Sequence, residues 1–326
     1  MPTTRLINQS EVLAVLDMPC ALTAVEEIFR LHGLKQVLMP AKTYLDFPAG
    51  DLRSMPAYAS ALGFAAVKNI NVHLGNRDIP TIIGTLTLFD PETGFPLAIM
   101  DATAITRMRT GAAAGIAVKH LAREDVQVLA IIGAGNQAFT QLEAVLAVRP
   151  GIREVVVFDL DDHRAATFAS QAAARFDLIT KVARSAEEAV TTADVLTTIT
   201  PAREPVVKAS WIKPGTHINA IGADGAGKQE LDAAVLKGAR IIIDDFEQAT
   251  HSGEINVPLA QGLIGVEQIA AELGQVVAGL KVGRERADQI TLFDSTGLAL
   301  QDLACAAHVY RAVMKRPAGQ EFDFLA

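Results

Sequence analysis

"VLAIIGAGNQAFTQLEAVL", Val128–Leu146, decides the fold. Its apolar run breaks at Gly133-Ala134-Gly135 and resumes with apolar residues at helical spacing, the pattern of a strand, a tight turn and a helix. A dinucleotide's pyrophosphate sits on such a turn, because backbone N–H groups and the helix N-terminus both favour an anion there. Ala138 takes the place of the third glycine, which the fingerprint permits. The same residues also suit a strand and a helix that simply pack closely, so the surroundings must decide.

From Val126 onward, short apolar runs alternate with helical stretches: "VQVLAII", "EVVVFD", "VLTTIT", "HINAIGA", "ARIIIDD" and "ITLFDS". Near-continuous Val/Ile/Leu runs are strands of a parallel sheet covered on both faces. The succession predicts an α/β fold with a doubly wound Rossmann sheet. Asp159 ends the second run, close to the ~20-residue offset from the glycine turn expected of the acid that holds the ribose hydroxyls. Asp161 and Asp162 follow, so a 2′-phosphate would meet like charge despite His163 and Arg164, which favours NAD over NADP.

The first third reads differently. "LDMPCALTAVEEIFRLHG" predicts a helix with Asp17 at its N-cap, Pro19 in its first turn and Gly33 at its stop. "GDLRSMPAYA", "GFAAVKNINV", "TIIGTLTLFD" and "FPLAIMDA" predict strands, with "DPETG" turning between the last two. Thr106 reads as the cap of an Ala-rich helix to about Leu121, and "GLALQDLACAAHVYRAVMK" as a final helix returning to the first domain. A chain of 326 residues exceeds what one core usually serves. The expected division is residues 1–115 with 300–326, a smaller α+β domain, against 116–299, the Rossmann domain.

Half the residues are hydrophobic and the formal net charge is −8, so the chain can bury a large core and carries no basic footprint for nucleic acid. Cys20 and Cys305 stand far apart, read as small apolar residues, and suit a reducing compartment. No apolar stretch reaches the ~20 residues of a membrane helix, and "MPTTRLINQSEVLAVLDMP" carries charges where a signal peptide has an apolar core. A cytoplasmic location is expected. No HExxH, Cys/His cluster, GxSxG or P-loop occurs, which argues against metal and serine-nucleophile chemistry.

Lys68 is the most informative single residue. On a strand, Phe64, Ala66, Lys68, Ile70 and Val72 share one face, and a lysine in an apolar row needs a partner or a lowered pKa. An ammonium snorkelling from a sheet edge is the alternative. Arg53 can offer a fork to a carboxylate in the same cavity or form a surface salt bridge. Arg109 and Thr110 fall in the first turn of a helix capped at Thr106. An arginine there opposes the dipole unless an anion or a nearby acid compensates it. Asp224, in "AIGADGAGKQE", lies beyond a strand's carboxyl end, where ligands bind in open parallel sheets, although an Asp also stabilises such turns. "FDSTG" ends another strand at the same edge.

Taken together, "PAKTYLDF", "GDLRSMPAY", "VKNINVH", "PETGFPLAIMDAT", "RTGAAAG", "GAGNQA", "INAIGADGAGKQELD", "GEIN" and "FDSTGLALQD" resemble the ornithine cyclodeaminase/mu-crystallin family, and within it the archaeal-type alanine dehydrogenases. The resemblance spans nearly the whole chain. It implies NAD(H), and a homodimer built through the non-Rossmann domain, which would also bind substrate. By matching position, Arg53, Lys68 and Arg109 hold substrate, with Arg109 also touching cofactor; Asp224 is the acid/base and Thr296 lies beside the substrate. Cofactor contacts are implied for Thr81, Thr110, Gly133, Gly135, Asn136, Gln137, Asp159, Thr200, Asn219, Ala220, Ile221, Lys228 and Ser295. Ala226 departs from the family's frequent proline, and the spacing from Lys68 to Thr81 is short. The implied activity is oxidation of alanine to pyruvate and ammonium. A redox-neutral ornithine cyclodeaminase, a cyclic ketimine (pyrroline-2-carboxylate) reductase and a crystallin-like nucleotide-binding protein are the alternatives.

Overall fold

The computed structural model describes residues 2–316 and 318–326. They form two compact units, residues 2–109 with 298–316 and 318–326, and Thr110–Gly297.

Unit one is built on a mixed sheet. Its strands are β1 (Thr4–Ile7), β2 (Val37–Leu38), β3 (Thr43–Phe47), β4 (Gly50–Ala59), β5 (Phe64–Val72), β6 (Ile82–Phe89) and β7 (Pro96–Asp101), with Gln320–Phe322 at one edge beside β1. From β1 the order runs β7, β6, β5, β4, β2, with β3 also paired to β4. β4 to β7 form an antiparallel run, while β1 joins β7 in parallel. Burial alternates along β4, with Arg53, Met55, Ala57 and Ala59 inward, and along β5, with Ala66, Lys68 and Ile70 inward. Helices Met18–Gly33 and Ala299–Val313 pack on each other, and the latter also lies over β4, β5 and β6. Asp17 caps the first helix as its sequence predicts, accepting from the Cys20 amide at 2.9 Å.

Two local expectations need correcting. Helix Ala102–Leu121 starts four residues before Thr106, because Asp101, the last residue of β7, accepts from the Ala104 amide at 2.7 Å and starts the first turn. Arg109 is therefore two turns into the helix, and the dipole argument for an anion beside it falls away. Of the cysteines, both free thiols, Cys305 is buried as expected but Cys20 is only partly so.

Unit two holds an eight-stranded, wholly parallel sheet. Its strands are β8 (Val128–Ile132), β9 (Glu154–Phe158), β10 (Ile179–Val182), β11 (Val195–Thr198), β12 (His217–Ala220), β13 (Arg240–Ile243), β14 (Ile269–Glu272) and β15 (Thr291–Asp294). They lie in the order β10-β9-β8-β11-β12-β15-β13-β14. The chain winds outward from β8 through β9 to β10, then returns to β11 on the other side of β8, which makes the carboxyl end of β8 the switch point. Alternate residues serve opposite cores: Leu129 and Ile131 join one cluster, Ala130 and Ile132 the other. That is why these strands read as unbroken apolar runs. β10 and β14, both at sheet edges, are less apolar and escape that reading. No described helix is long and apolar enough to cross a membrane.

Candidate active site

In unit one, the inward row of β5 buries Lys68 to 1% exposure, with uncharged Met55 and Leu86 opposite it on the flanking strands. Its Nζ donates to Asp302 Oδ2 at 2.6 Å and makes a long contact of 3.5 Å to Thr106 Oγ1. Asp302 lies in the first turn of the C-terminal helix, and its Oδ1 accepts from Arg109 Nε at 3.1 Å. Arg109 Nη1 reaches Gln301 Oε1 at 3.2 Å. Loss of hydration brings the lysine down to about 7; Asp302 opposes the fall and Arg109 deepens it. A lysine in this state can gain or lose a proton near neutral pH, which one at a sheet edge cannot. Sequence reasoning missed Asp302. The available signal was one acid inside the apolar run "GLALQDLACAAHV".

Arg53 shares the inward face, across from Ile70 and diagonal to Lys68. Its Nε and Nη2 take Asp51 Oδ1 and Oδ2 at 2.9 and 3.1 Å, so an acid two residues away on the same strand already fills one fork. The guanidinium also lies 5.6 Å from the Tyr44 ring centroid. Thr81, just before β6, is partly exposed, and its carbonyl accepts from the His73 amide at 2.8 Å.

In unit two, Gly133 follows β8 with φ +105°, and a Cβ there would come within 2.7 Å of the Ile199 carbonyl oxygen. Only glycine is comfortable at this position. Asp159, immediately after β9, accepts from the Ala134 amide at 2.7 Å and the Asp161 amide at 2.9 Å, so it braces the turn as well as facing the cleft beside it. That cleft, of about 480 Å³, is lined by Gly133, Gly135, Asp159, Arg164, Thr200 and Pro201. Nothing lies within 4 Å of where a Gly135 Cβ would be, and helix Ala138–Val148 starts at Gln137 with no side-chain cap. Open backbone and an uncapped N-terminus fit a pyrophosphate. Asn136 is exposed and Gln137 partly buried at the same turn. Thr110 is buried in its helix.

The carboxyl edge of this sheet is tied together by buried carboxylates that sequence reading passed over. Glu230 accepts from the Thr200 amide and hydroxyl at 2.6 and 2.8 Å, and from Thr198 Oγ1 and the Gly222 amide, both at 2.8 Å. Glu254 accepts from the Glu230 and Leu231 amides, and Asp294 from those of Glu254 and Ile255. Burial raises all three carboxyls, Asp294 to about 8. Asp244 accepts from the Thr296 amide and hydroxyl and the Gly297 amide. Thr296 and Thr200 therefore have their polar atoms held by these acids. Asn219 is likewise buried, between His217 Nε2 at 3.0 Å and the Ala114 carbonyl at 3.4 Å; Ala220 and Ile221 are buried beside it, and the Ser295 amide donates to the Ala220 carbonyl. Asp224 and Lys228, one turn apart on the glycine-rich loop, form a 2.5 Å ion pair. Among the described residues, no group of three or more His, Cys, Asp or Glu side chains is placed to hold a metal ion.

Residues 3–316 match the model of the Ornithine cyclodeaminase/mu-crystallin family. The chain is 51% identical to an alanine dehydrogenase of Archaeoglobus fulgidus over 323 residues, 98% of each protein. Among solved structures, it superposes with a TM-score of 0.96 on an archaeal alanine dehydrogenase dimer with bound NAD, at 50% identity over 99% of this chain and 100% of that one. The Thermococcus litoralis Delta(1)-pyrroline-2-carboxylate reductase, in complex with NADH and L-proline, follows at TM-score 0.94 and 37% identity, covering 97% and 99% of the two chains.

Proposed function

The chain belongs to the ornithine cyclodeaminase/mu-crystallin family, and from that premise we propose that it is an NAD(H)-dependent amino-acid oxidoreductase, an alanine dehydrogenase. The reaction takes L-alanine, NAD and water to pyruvate, ammonium and NADH. The observation that carries this reading is Lys68, buried against Asp302 and Arg109 with its proton affinity brought to about 7. A protein that only binds a nucleotide has no use for such a lysine.

Unit two is assigned the nucleotide and unit one the substrate and the homodimer contact; the protein works in the cytoplasm. Gly133, Gly135 and the start of helix Ala138–Val148 hold the pyrophosphate, and Asp159 the ribose hydroxyls. Bound NAD supplies hydride acceptance, the redox half of the reaction. Arg53 and Arg109 orient the substrate carboxylate. With Lys68 neutral, the charges of Arg53, Arg109, Asp51 and Asp302 cancel. An incoming carboxylate adds one negative charge and favours proton uptake by the lysine. Lys68 then takes the proton that the substrate ammonium must shed before oxidation. Asp224 accepts a proton from the water that hydrolyses the imine, and Lys228 holds that carboxylate in place.

The test is NADH formation on a panel of amino acids, with proline formation from ornithine measured alongside. Alanine should support steady NADH production, and pyruvate with ammonium should reverse it. Redox-neutral proline formation without alanine turnover would move the assignment to a cyclodeaminase. Reduction of pyrroline-2-carboxylate without alanine turnover would move it to a ketimine reductase.

Cofactor choice is a separate expectation. NAD should bind more tightly than NADP, and Asp159→Ala should narrow the gap by ~1–3 kcal/mol as a charge-assisted hydrogen bond to ribose is lost. Because Asp159 also braces the Ala134 amide, affinity for both nucleotides should fall in the variant. Titration of both nucleotides into both proteins checks this, and equal NADP binding by the unmodified protein would refute it.

A further inference from the structure

The geometry around Lys68 points to a residue with no role so far in the reaction. We propose that Asp302 is a positioning residue: its Oδ2 fixes the Lys68 ammonium, its Oδ1 fixes Arg109, and its charge decides how readily the lysine releases its proton. The inference deepens the proposed dehydrogenase reading and rests on it for the role of Lys68.

Three observations support it. Both oxygens are used, at 2.6 and 3.1 Å, by cations from two different elements, β5 and helix Ala102–Leu121.

 Asp302 and Lys68 are each 1% exposed, so no water substitutes for either partner. The carboxylate stands in the first turn of helix Ala299–Val313, where the backbone favours an anion. The charged groups acting on the lysine are Asp302, Arg109 and, more weakly, Lys42. Cys305, the titratable group next to Asp302 on its helix, is a buried thiol pushed up and so kept neutral. The strand neighbours Met55 and Leu86 carry no charge.

The experiment needs neither substrate nor cofactor. Melting temperature is measured from pH 5 to pH 10 for the full chain, for Asp302→Asn, and for each with Lys68→Met added. The lysine's own contribution is the difference between each protein and its Lys68→Met counterpart. In the folded protein Lys68 loses its proton near 7, but in the unfolded chain only near 10.5. The unfolded state therefore binds more protons in that window, and the lysine's contribution to stability rises with pH across it. Buried Asp294, raised to about 8, gives the opposite slope at lower pH in all four proteins and cancels.

With Asp302→Asn, the lower edge of the lysine window should move down by ~1–3 pH units, the usual effect of removing an opposite charge at this range. Asp302→Glu should restore it at least in part. If Asp302→Asn does not fold, Arg109→Gln provides the test with opposite sign: losing a like charge should move the edge up. An edge that stays in place in whichever variant folds would overturn the proposal. On the substrate established by the amino-acid panel, the acidic limb of the kcat/KM profile should move with the melting edge. Absence of turnover on every amino acid would refute the dehydrogenase reading while leaving the melting result to stand or fall by itself.

Discussion

Lys68→Met and Asp224→Asn should each lower kcat by ~100-fold or more, the usual loss when a positioned acid or base is removed. NAD affinity should change little, since neither side chain is assigned to the nucleotide. For Lys68 the expected loss rests on a strand that places it inward, a burial that brings it to about 7, and a carboxylate 2.6 Å away. For Asp224 it rests on a loop at the carboxyl edge of the parallel sheet and the 2.5 Å pair with Lys228. The sequence alone suggests that methionine at position 68 relieves a desolvation cost and leaves the protein as stable or more so. The structure sets a cost against that relief. Methionine strands Asp302 Oδ2 in a buried place, at a cost of ~1–3 kcal/mol, while Arg109 still serves Oδ1. Steady-state kinetics, NAD titration and melting curves on the two variants separate these effects. Near-normal kcat in both would place the chemistry elsewhere.

Glu230→Ala should be the most damaging single change in unit two. The carboxylate accepts from two backbone amides, Thr200 and Gly222, and from two threonine hydroxyls. Hydroxyls can turn to other acceptors, but the amides are fixed by the backbone. Each amide left without a partner costs ~1–3 kcal/mol, so a loss of ~2–6 kcal/mol is expected before any cavity is counted. Close approach leaves little room to relax: a Cβ on Gly222 would run into the Thr200 carbonyl and the Glu230 carboxyl. Since Thr200 lines the cleft by the glycine turn, NAD affinity should fall as well. Glu230→Gln keeps the shape and one acceptor, and should retain most of both properties. Denaturant unfolding and NAD titration of the two variants check this. An alanine variant within ~0.5 kcal/mol of the parent, with unchanged NAD affinity, would show that Glu230 braces nothing.

The amino-acid sequence by itself determined the local features. Alternation along β5 set Lys68 in an apolar row, while the burial of Lys68 and Arg53 came from the structure, and Asp17 and Pro19 marked the start of their helix. Unbroken apolar runs identified the central strands of the parallel sheet, because both faces of those strands are covered. These signals survive in one dimension because they depend on residues a few positions apart. The helix after β7 shows the limit: Asp101 and Thr106 are both acceptable caps, and the end of β7's pairing, Asp101 opposite Thr85, selects the first. Tertiary structure alone decided what surrounds each charge. Asp302 lies 234 residues from Lys68, and Glu230 is tied to backbone amides that no side-chain pattern records. Desolvation and Coulomb attraction act over a few ångströms of space, so the proton affinity of Lys68 depends on which distant segments the topology brings against it.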